Sequence, residues 1–346
     1  MSVVTVVTRS SRVVFGAGSI ASLGDEIDRL KCTRVLLVST PGRKALADRA
    51  AVILASRVSG TFRGAAAHVP DDVVQAARDA ATEAAADCIV SLGGSSSIGI
   101  AKLIALTSGT PIVAVPTTYG GSEMTPIYGF TRQGVKETAR DSTVQPQVVI
   151  YDPELTLSLS PRTTASSGLN AMAHCLEALY APDANPLSSA AALEGLRLLF
   201  SALPALAVAP GDLDDRTVAL EGAWLAGFAL GTVQMGLQHK LAHVLGGSFD
   251  LPHAETHAVL LPYTAAFNRS ALPDILSDAP ERIIGLAETS GAPLSLGEIG
   301  LREDDIPAAA RMAVSKQYPN PRAVTHDLVI ELLRAAWRGD REYIGG

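Results

Sequence analysis

The segment Asp87-Cys88-Ile89-Val90-Ser91-Leu92-Gly93-Gly94-Ser95-Ser96-Ser97-Ile98-Gly99-Ile100-Ala101-Lys102 reads as a strand, a glycine turn and the opening of a helix. The strand part has no alternating polar face, as expected where both faces of a sheet are covered. Glycines at a strand end let the backbone approach a ligand closely. The helix that follows offers unpaired N–H groups and the positive end of its dipole to a phosphate. Ser95, Ser96 and Ser97 add hydroxyls and a plausible N-cap. The spacing is not the G-x-G-x-x-G of an ordinary dinucleotide loop, and a plain tight turn would use the same residues.

The pattern repeats on either side. Thr33–Ser39 (TRVLLVS) is followed by Thr40-Pro41-Gly42 and a helical stretch over Arg43–Ala55. Pro111–Val115 (PIVAV) leads into a second small-residue loop, Pro116-Thr117-Thr118-Tyr119-Gly120-Gly121-Ser122-Glu123, and Gln147–Tyr151 (QVVIY) is a further strand. Strands separated by helices predict βαβ units on a parallel sheet, with the loops after the strands along one edge. Two such loops favour a dinucleotide site at Gly93, Gly94, Ser95, Ser96, Thr117, Thr118 and Ser122. Thr40 stands where many NAD enzymes carry an acid for the ribose, so NADPH is expected to be accepted as well as NADH.

From Pro161 onward the strand signal stops. Ser188–Leu203, ended by Pro204, Arg216–Gly231 and Val324–Arg338 read as helices. The expectation is an α/β N-terminal dinucleotide-binding domain with a parallel sheet over 1–155 and an all-α C-terminal domain over 156–346, packed closely around a cleft. A chain of 346 residues has room for two such domains. With 28 Lys+Arg against 35 Asp+Glu the net charge is −7, which argues against nucleic acid as a partner. No apolar run approaches a membrane span and no signal peptide is legible, so neither a membrane nor secretion is expected. The three scattered cysteines fit a reducing cytoplasm.

Six of the seven histidines lie in the second half, and four fall within Gln238-His239-Lys240-Leu241-Ala242-His243 and Leu251-Pro252-His253-Ala254-Glu255-Thr256-His257. His239 and His243, His253 and His257, and Asn170 and His174 are each four apart, so each pair shares a helix face. Such a cluster suits ligation of a divalent metal or proton donation near neutral pH; spacing alone does not choose.

Together, Val115–Phe130 (VPTTYGGSEMTPIYGF), Ser167–Asn185 (SGLNAMAHCLEALYAPDAN) and His239–Pro262 (HKLAHVLGGSFDLPHAETHAVLLP) resemble the iron-containing alcohol dehydrogenase superfamily, and within it the maleylacetate reductase branch. The resemblance covers nearly the whole chain. It implies the dehydroquinate synthase-like architecture of an α/β and an all-helical domain with the active site between them, and a homodimer. Metal-dependent relatives use one Asp and three His, and the matching positions are Asn170, His174, His239 and His253. Replacing the aspartate by a neutral amide removes the one formal ligand charge, so no metal is expected. The glycine loop departs from Gly-Gly-Gly-Ser-x-x-Asp-x-x-Lys at Ser95 and Gly99.

The activity so implied is NAD(P)H-dependent reduction of the C=C bond of 2-maleylacetate to 3-oxoadipate in aromatic-compound breakdown. His243 and His253 are the expected donors, with His239, His174 and His257 orienting or donating. Two carboxylates on the substrate call for cations. The candidates are Lys136, Arg140, Lys240 and Arg322, with Tyr119 nearby in sequence to the nucleotide loop. The rival readings are a metal-dependent alcohol or glycerol dehydrogenase of the same superfamily, a lyase similar to dehydroquinate synthase, and a non-catalytic nucleotide binder.

Overall fold

The computed structural model describes residues 11–66, 69–132 and 135–345, with backbone alone for 131–132 and 135–137. The chain divides into two compact units, one of Thr8–Ser158 and one built on Leu159–Gly346.

Among the described residues the first unit carries eight strands: β1 (Arg12–Phe15), β2 (Val35–Ser39), β3 (Val58–Phe62), β4 (Cys88–Gly93), β5 (Ile112–Pro116), β6 (Ile127–Arg132), β7 (Val135–Arg140) and β8 (Val148–Tyr151). Its helices are α1 (Leu23–Arg29), α2 (Lys44–Leu54), α3 (Asp71–Glu83) and α4 (Ser95–Ser108). Six strands form a parallel sheet in the order β1-β8-β5-β4-β2-β3. Successive residues of β2 serve opposite cores. Val35 and Leu37 join Leu23, Ile27, Ala47 and Leu54 on one face, while Leu36 and Val38 join Ile100, Leu103 and Ile104 on the other. That double burial is why the strand shows no polar alternation.

Three elements go beyond the sequence reading. β1 and β3 are the edge strands, and along β3 half-buried residues alternate with exposed ones. A Cβ on Gly60 would meet the Ala84 side chain at 2.8 Å, so only glycine lets β3 run that close to the chain just beyond α3. β6 and β7 pair antiparallel, and neither is among the strands read from the sequence. In addition, the N-cap of α4 is Gly94 rather than a serine.

The second unit is helical: α5 (Pro161–Leu179), α6 (Pro186–Val208), α7 (Leu213–Thr232), α8 (Leu237–Ser248), α9 (His253–Phe267), α10 (Ala279–Ser290), α11 (Ile306–Val314), α12 (His326–Arg338) and α13 (Glu342–Gly345). Its helix starts are written locally. Ser160 caps α5 ahead of Pro161, Asn185 and Ser188 form a capping box on α6, Asp212 caps α7 and Thr325 caps α12. Pro204 does not stop α6, which runs on to Val208. Leu203 and Leu206 are both buried there, and that packing outweighs the missing N–H. By length and composition α6 meets the test for a membrane span, with mean hydropathy 1.6, but half of that window is buried inside the fold. It packs against α5 and α7 as a core helix.

Candidate active site

The C-terminal edge of the parallel sheet gathers the small-residue loops. Gly93 ends β4 at φ +137°, where a Cβ would lie 2.8 Å from Ser97 Oγ, and a Cβ on Gly94 would meet Thr118 Oγ1 at 3.0 Å. Position 93 therefore calls for glycine, and position 94 has little room for a side chain. Ser95 is exposed and Ser96 half-buried at the start of α4, while Ser97 Oγ and Thr117 Oγ1 are buried without hydrogen-bond partners. Orphaned hydroxyls beside a 14-residue helix N-terminus fit the phosphates of a dinucleotide. Thr40 is half-buried at the end of β2. Arg43 follows it, its Cγ 3.9 Å from the place of a Gly93 Cβ and its Nη1 donating to Ser158 Oγ at 2.9 Å. Burial pushes its guanidinium pKa down. The sequence reading passed over Arg43 as part of a helix.

The loop after β5 is pinned from below. Lys102 is wholly buried, and its Nζ donates to the carbonyls of Ser122 (2.7 Å), Thr125 (2.8 Å) and Ile127 (2.6 Å). Burial lowers its pKa to about 7, with the Glu123 charge opposing. Glu123 is itself buried, accepts from Tyr151 Oη at 2.9 Å, and has its pKa raised by burial. Tyr119 is also fully buried.

The imidazoles of three helices of the second unit do come together. His174 projects from α5, His239 and His243 from α8, and His253 and His257 from α9. His257 lies at the centre, its ring 4.6 Å from His253, 4.8 Å from His239 and 6.0 Å from His174. His243 completes the set, 6.2 Å from His239 and 6.1 Å from His253. Burial, then the charges of its four neighbours, hold His257 well below the usual imidazole range.

Two further residues fix these rings, and the sequence reading missed both. Glu177, buried on α5, accepts from His239 Nδ1 at 2.5 Å and from the backbone N–H groups of Gly236 (3.1 Å) and Gln238 (2.8 Å) at the start of α8. Gly236 permits this, because a Cβ there would meet Glu177 Oε1 at 3.0 Å and Pro319 O at 2.8 Å. With its Nδ1–H given to Glu177, His239 Nε2 is left to accept from His174 Nδ1 at 2.8 Å. Gln238 is buried on α8 and reaches His257 and Thr264. Glu177 stands three residues after His174, one helix turn on, and that spacing was the available signal.

The proposed cations are dispersed. Lys240 is half-buried on α8, with its pKa lowered by burial and then by Lys316. Arg140 is exposed at the end of β7, and the side chain of Lys136 lies outside the described residues. The structure places Arg322 against Phe267 and not among the imidazoles. It is exposed, its guanidinium lies 4.3 Å over the Phe267 ring, and its Nη1 donates to Phe267 O. Phe267 is at the far end of α9, about 15 Å along the axis from His257 at roughly 1.5 Å per residue.

The four positions matched to a metal supply an amide oxygen and three imidazoles, donor types that suit a divalent cation. Asn170 Oδ1 is buried without a hydrogen-bond partner. Glu177 behind His239 is the carboxylate that orients a ligating imidazole. Among the described residues, however, no group of three or more His, Cys, Asp or Glu stands ready around one point. The His174–His239 hydrogen bond occupies a ligand nitrogen, and seating an ion requires it to open.

Comparison with known proteins agrees with this layout. Residues 10–153 match the model of the iron-containing alcohol dehydrogenases, and residues 164–285 match the C-terminal model of the same Fe-containing family. A maleylacetate reductase of Burkholderia cepacia is 50% identical over 96% of this chain and 97% of its own. The crystal structure of maleylacetate reductase from Agrobacterium tumefaciens is 46% identical, with TM-score 0.92 over 99% of this chain and 100% of that one. That of an iron-containing alcohol dehydrogenase from Corynebacterium glutamicum is 36% identical, with TM-score 0.94 over the whole of both chains.

These matches overturn the expectation that no metal is needed. Both halves of the chain fit models of iron-containing enzymes, so a metal is part of what the family implies, and the amide at 170 does not by itself remove it. The chain belongs to the iron-containing alcohol dehydrogenase family, beside its maleylacetate reductases.

Proposed function

We propose that this chain is an oxidoreductase acting on a CH–CH group, catalysing 2-maleylacetate + NAD(P)H + H⁺ → 3-oxoadipate + NAD(P)⁺. The observation that carries the reading is the 50% identity to a maleylacetate reductase over nearly both full lengths. A nicotinamide dinucleotide held at the Gly93-Gly94 loop would supply the hydride needed at the alkene carbon β to the ketone. The alkene pair moves toward the ketone, charge collects on its oxygen as an enolate, and the α carbon takes up a proton. A divalent cation held by Asn170, His174, His239 and His253 would supply Lewis acidity to a substrate oxygen.

The chain's own part is to stabilise the enolate with preorganised donors and to deliver a proton. The five-imidazole cluster is suited to both. His257 is the fully buried member, and His243 and His253, only half-buried, are the proton donors in this reading. Lys240 is the cation proposed for a substrate carboxylate, since it is half-buried and has no carboxylate partner among the described residues. Arg43, beside Thr40 and Gly93, supports use of NADPH alongside NADH, because a guanidinium there would meet a 2′-phosphate. A homodimer in the cytoplasm, acting in aromatic-compound breakdown, completes the proposal.

The test is consumption of NADH or NADPH by purified protein on addition of maleylacetate, with 3-oxoadipate formed in equal amount. Oxidation of primary alcohols in its place would sink the reading.

A further inference from the structure

We propose that Gln238 is a positioning residue that locks His257 in its Nε2–H tautomer, making that N–H a fixed donor to the enolate oxygen. The role in turnover rests on the reaction proposed above; the tautomer lock does not.

The assignment follows from donor and acceptor accounting. One terminal atom of the Gln238 amide lies 3.0 Å from the backbone carbonyl of His257. A carbonyl oxygen only accepts, so that terminal atom is the NH₂. The other terminus then receives the Thr264 hydroxyl, Oγ1 to Oε1 2.6 Å, which agrees with its being oxygen. The same NH₂ lies 3.1 Å from His257 Nδ1. A donor faces that nitrogen, so Nδ1 must present its lone pair. A neutral imidazole has one N–H, and here it is on Nε2. An imidazolium would set Nδ1–H against the Gln238 N–H, so the geometry itself selects the neutral ring.

What the lock leaves behind is the second observation. His257 Nε2 is buried and has no hydrogen-bond partner. A buried N–H is costly to leave unmade, and such an orphan in a well-packed cluster calls for an explanation in function. Two of the neighbours differ. His239 spends its N–H on Glu177 and His174 spends its own on His239. His257 therefore holds a donor whose direction is set by its backbone on α9 and by Gln238 on α8. That is the preorganisation an enolate needs, since nothing must reorient as charge develops.

The test labels histidine with ¹⁵N in the full-length protein and reads ring tautomers from long-range ¹H–¹⁵N spectra, with His257 assigned by loss of its signals in His257→Gln. Wild-type protein is expected to carry the His257 proton on Nε2. Gln238→Glu places an acceptor opposite Nδ1 and is expected to move the proton there, lowering kcat with maleylacetate by ~10²–10³. Its KM is expected to stay within about threefold, because the donor acts on charge formed after binding. Thr264→Val, which frees the amide to turn, is expected to give a mixture of tautomers. A wild-type proton on Nδ1 overturns the proposal whether or not any variant folds. A Gln238→Glu protein that keeps the wild-type tautomer or the wild-type kcat overturns it too. Nε2–H in a wild-type protein that does not reduce maleylacetate upholds the lock and sinks the reaction instead.

Discussion

Lys102→Met probes an ammonium sealed inside the nucleotide-type unit. Its Nζ holds three backbone carbonyls of the 122–127 segment. At roughly 1–1.5 kcal/mol each, losing them costs about 3–5 kcal/mol. Against this stands the burial of a charge. The pKa falls from 10.5 to about 7, a penalty on the protonated form of about 5 kcal/mol at 1.36 kcal/mol per unit. The two nearly cancel at neutral pH, so the variant should differ little from wild type there. The sign then runs one way. Below pH 7 folded and unfolded chains both hold the proton and the folded state bears the whole penalty. Between about 7 and 10.5 the folded chain has released a proton that the unfolded chain keeps, so wild-type stability rises with pH. From pH 7 to 9 the gain is about 2 kcal/mol. Urea unfolding of both proteins at these two pH values measures it. The gap between wild type and Lys102→Met should widen by that amount in favour of wild type. A gap that stays constant or narrows refutes the reasoning that Lys102 is buried at the expense of its charge.

Three further predictions concern the site. Asn170→Asp restores the missing ligand charge and should tighten binding of Zn²⁺ or Fe²⁺ by about tenfold or more, ~1.4 kcal/mol, in titration calorimetry; equal affinity in the two proteins would count against Asn170 as a ligand position. Lys240→Met should raise KM for maleylacetate about tenfold while the thermal melt is unchanged, and an unchanged KM would remove Lys240 from substrate binding. Arg43→Glu should lower kcat/KM for NADPH about tenfold more than for NADH, through repulsion of the 2′-phosphate; an equal loss with both cofactors would place Arg43 elsewhere.

The sequence by itself determined the alternating strands and helices, the glycine turn at Gly93-Gly94, the helical second half and the five histidines. These are local quantities. Burial on two faces removes the polar alternation from β2 and β4, the φ of +137° at Gly93 calls for glycine, and a four-residue spacing puts two rings on one helix face. The paired strands β6 and β7 and the edge strands β1 and β3 were not legible, since short, half-exposed strands carry little pattern. Pro204 misled for the opposite reason: a strong local stop was overridden by the burial of Leu203 and Leu206.

The site divides the same way. Which imidazoles exist was written in the chain, but which nitrogen donates was not. Glu177 and Gln238 decide that, and each looks like an ordinary helix residue until α5, α8 and α9 pack. Only the fold brings the carboxylate within 2.5 Å of His239 and the amide within 3.1 Å of His257. A tautomer depends on the partner opposite each ring nitrogen, and those partners come from helices distant in sequence.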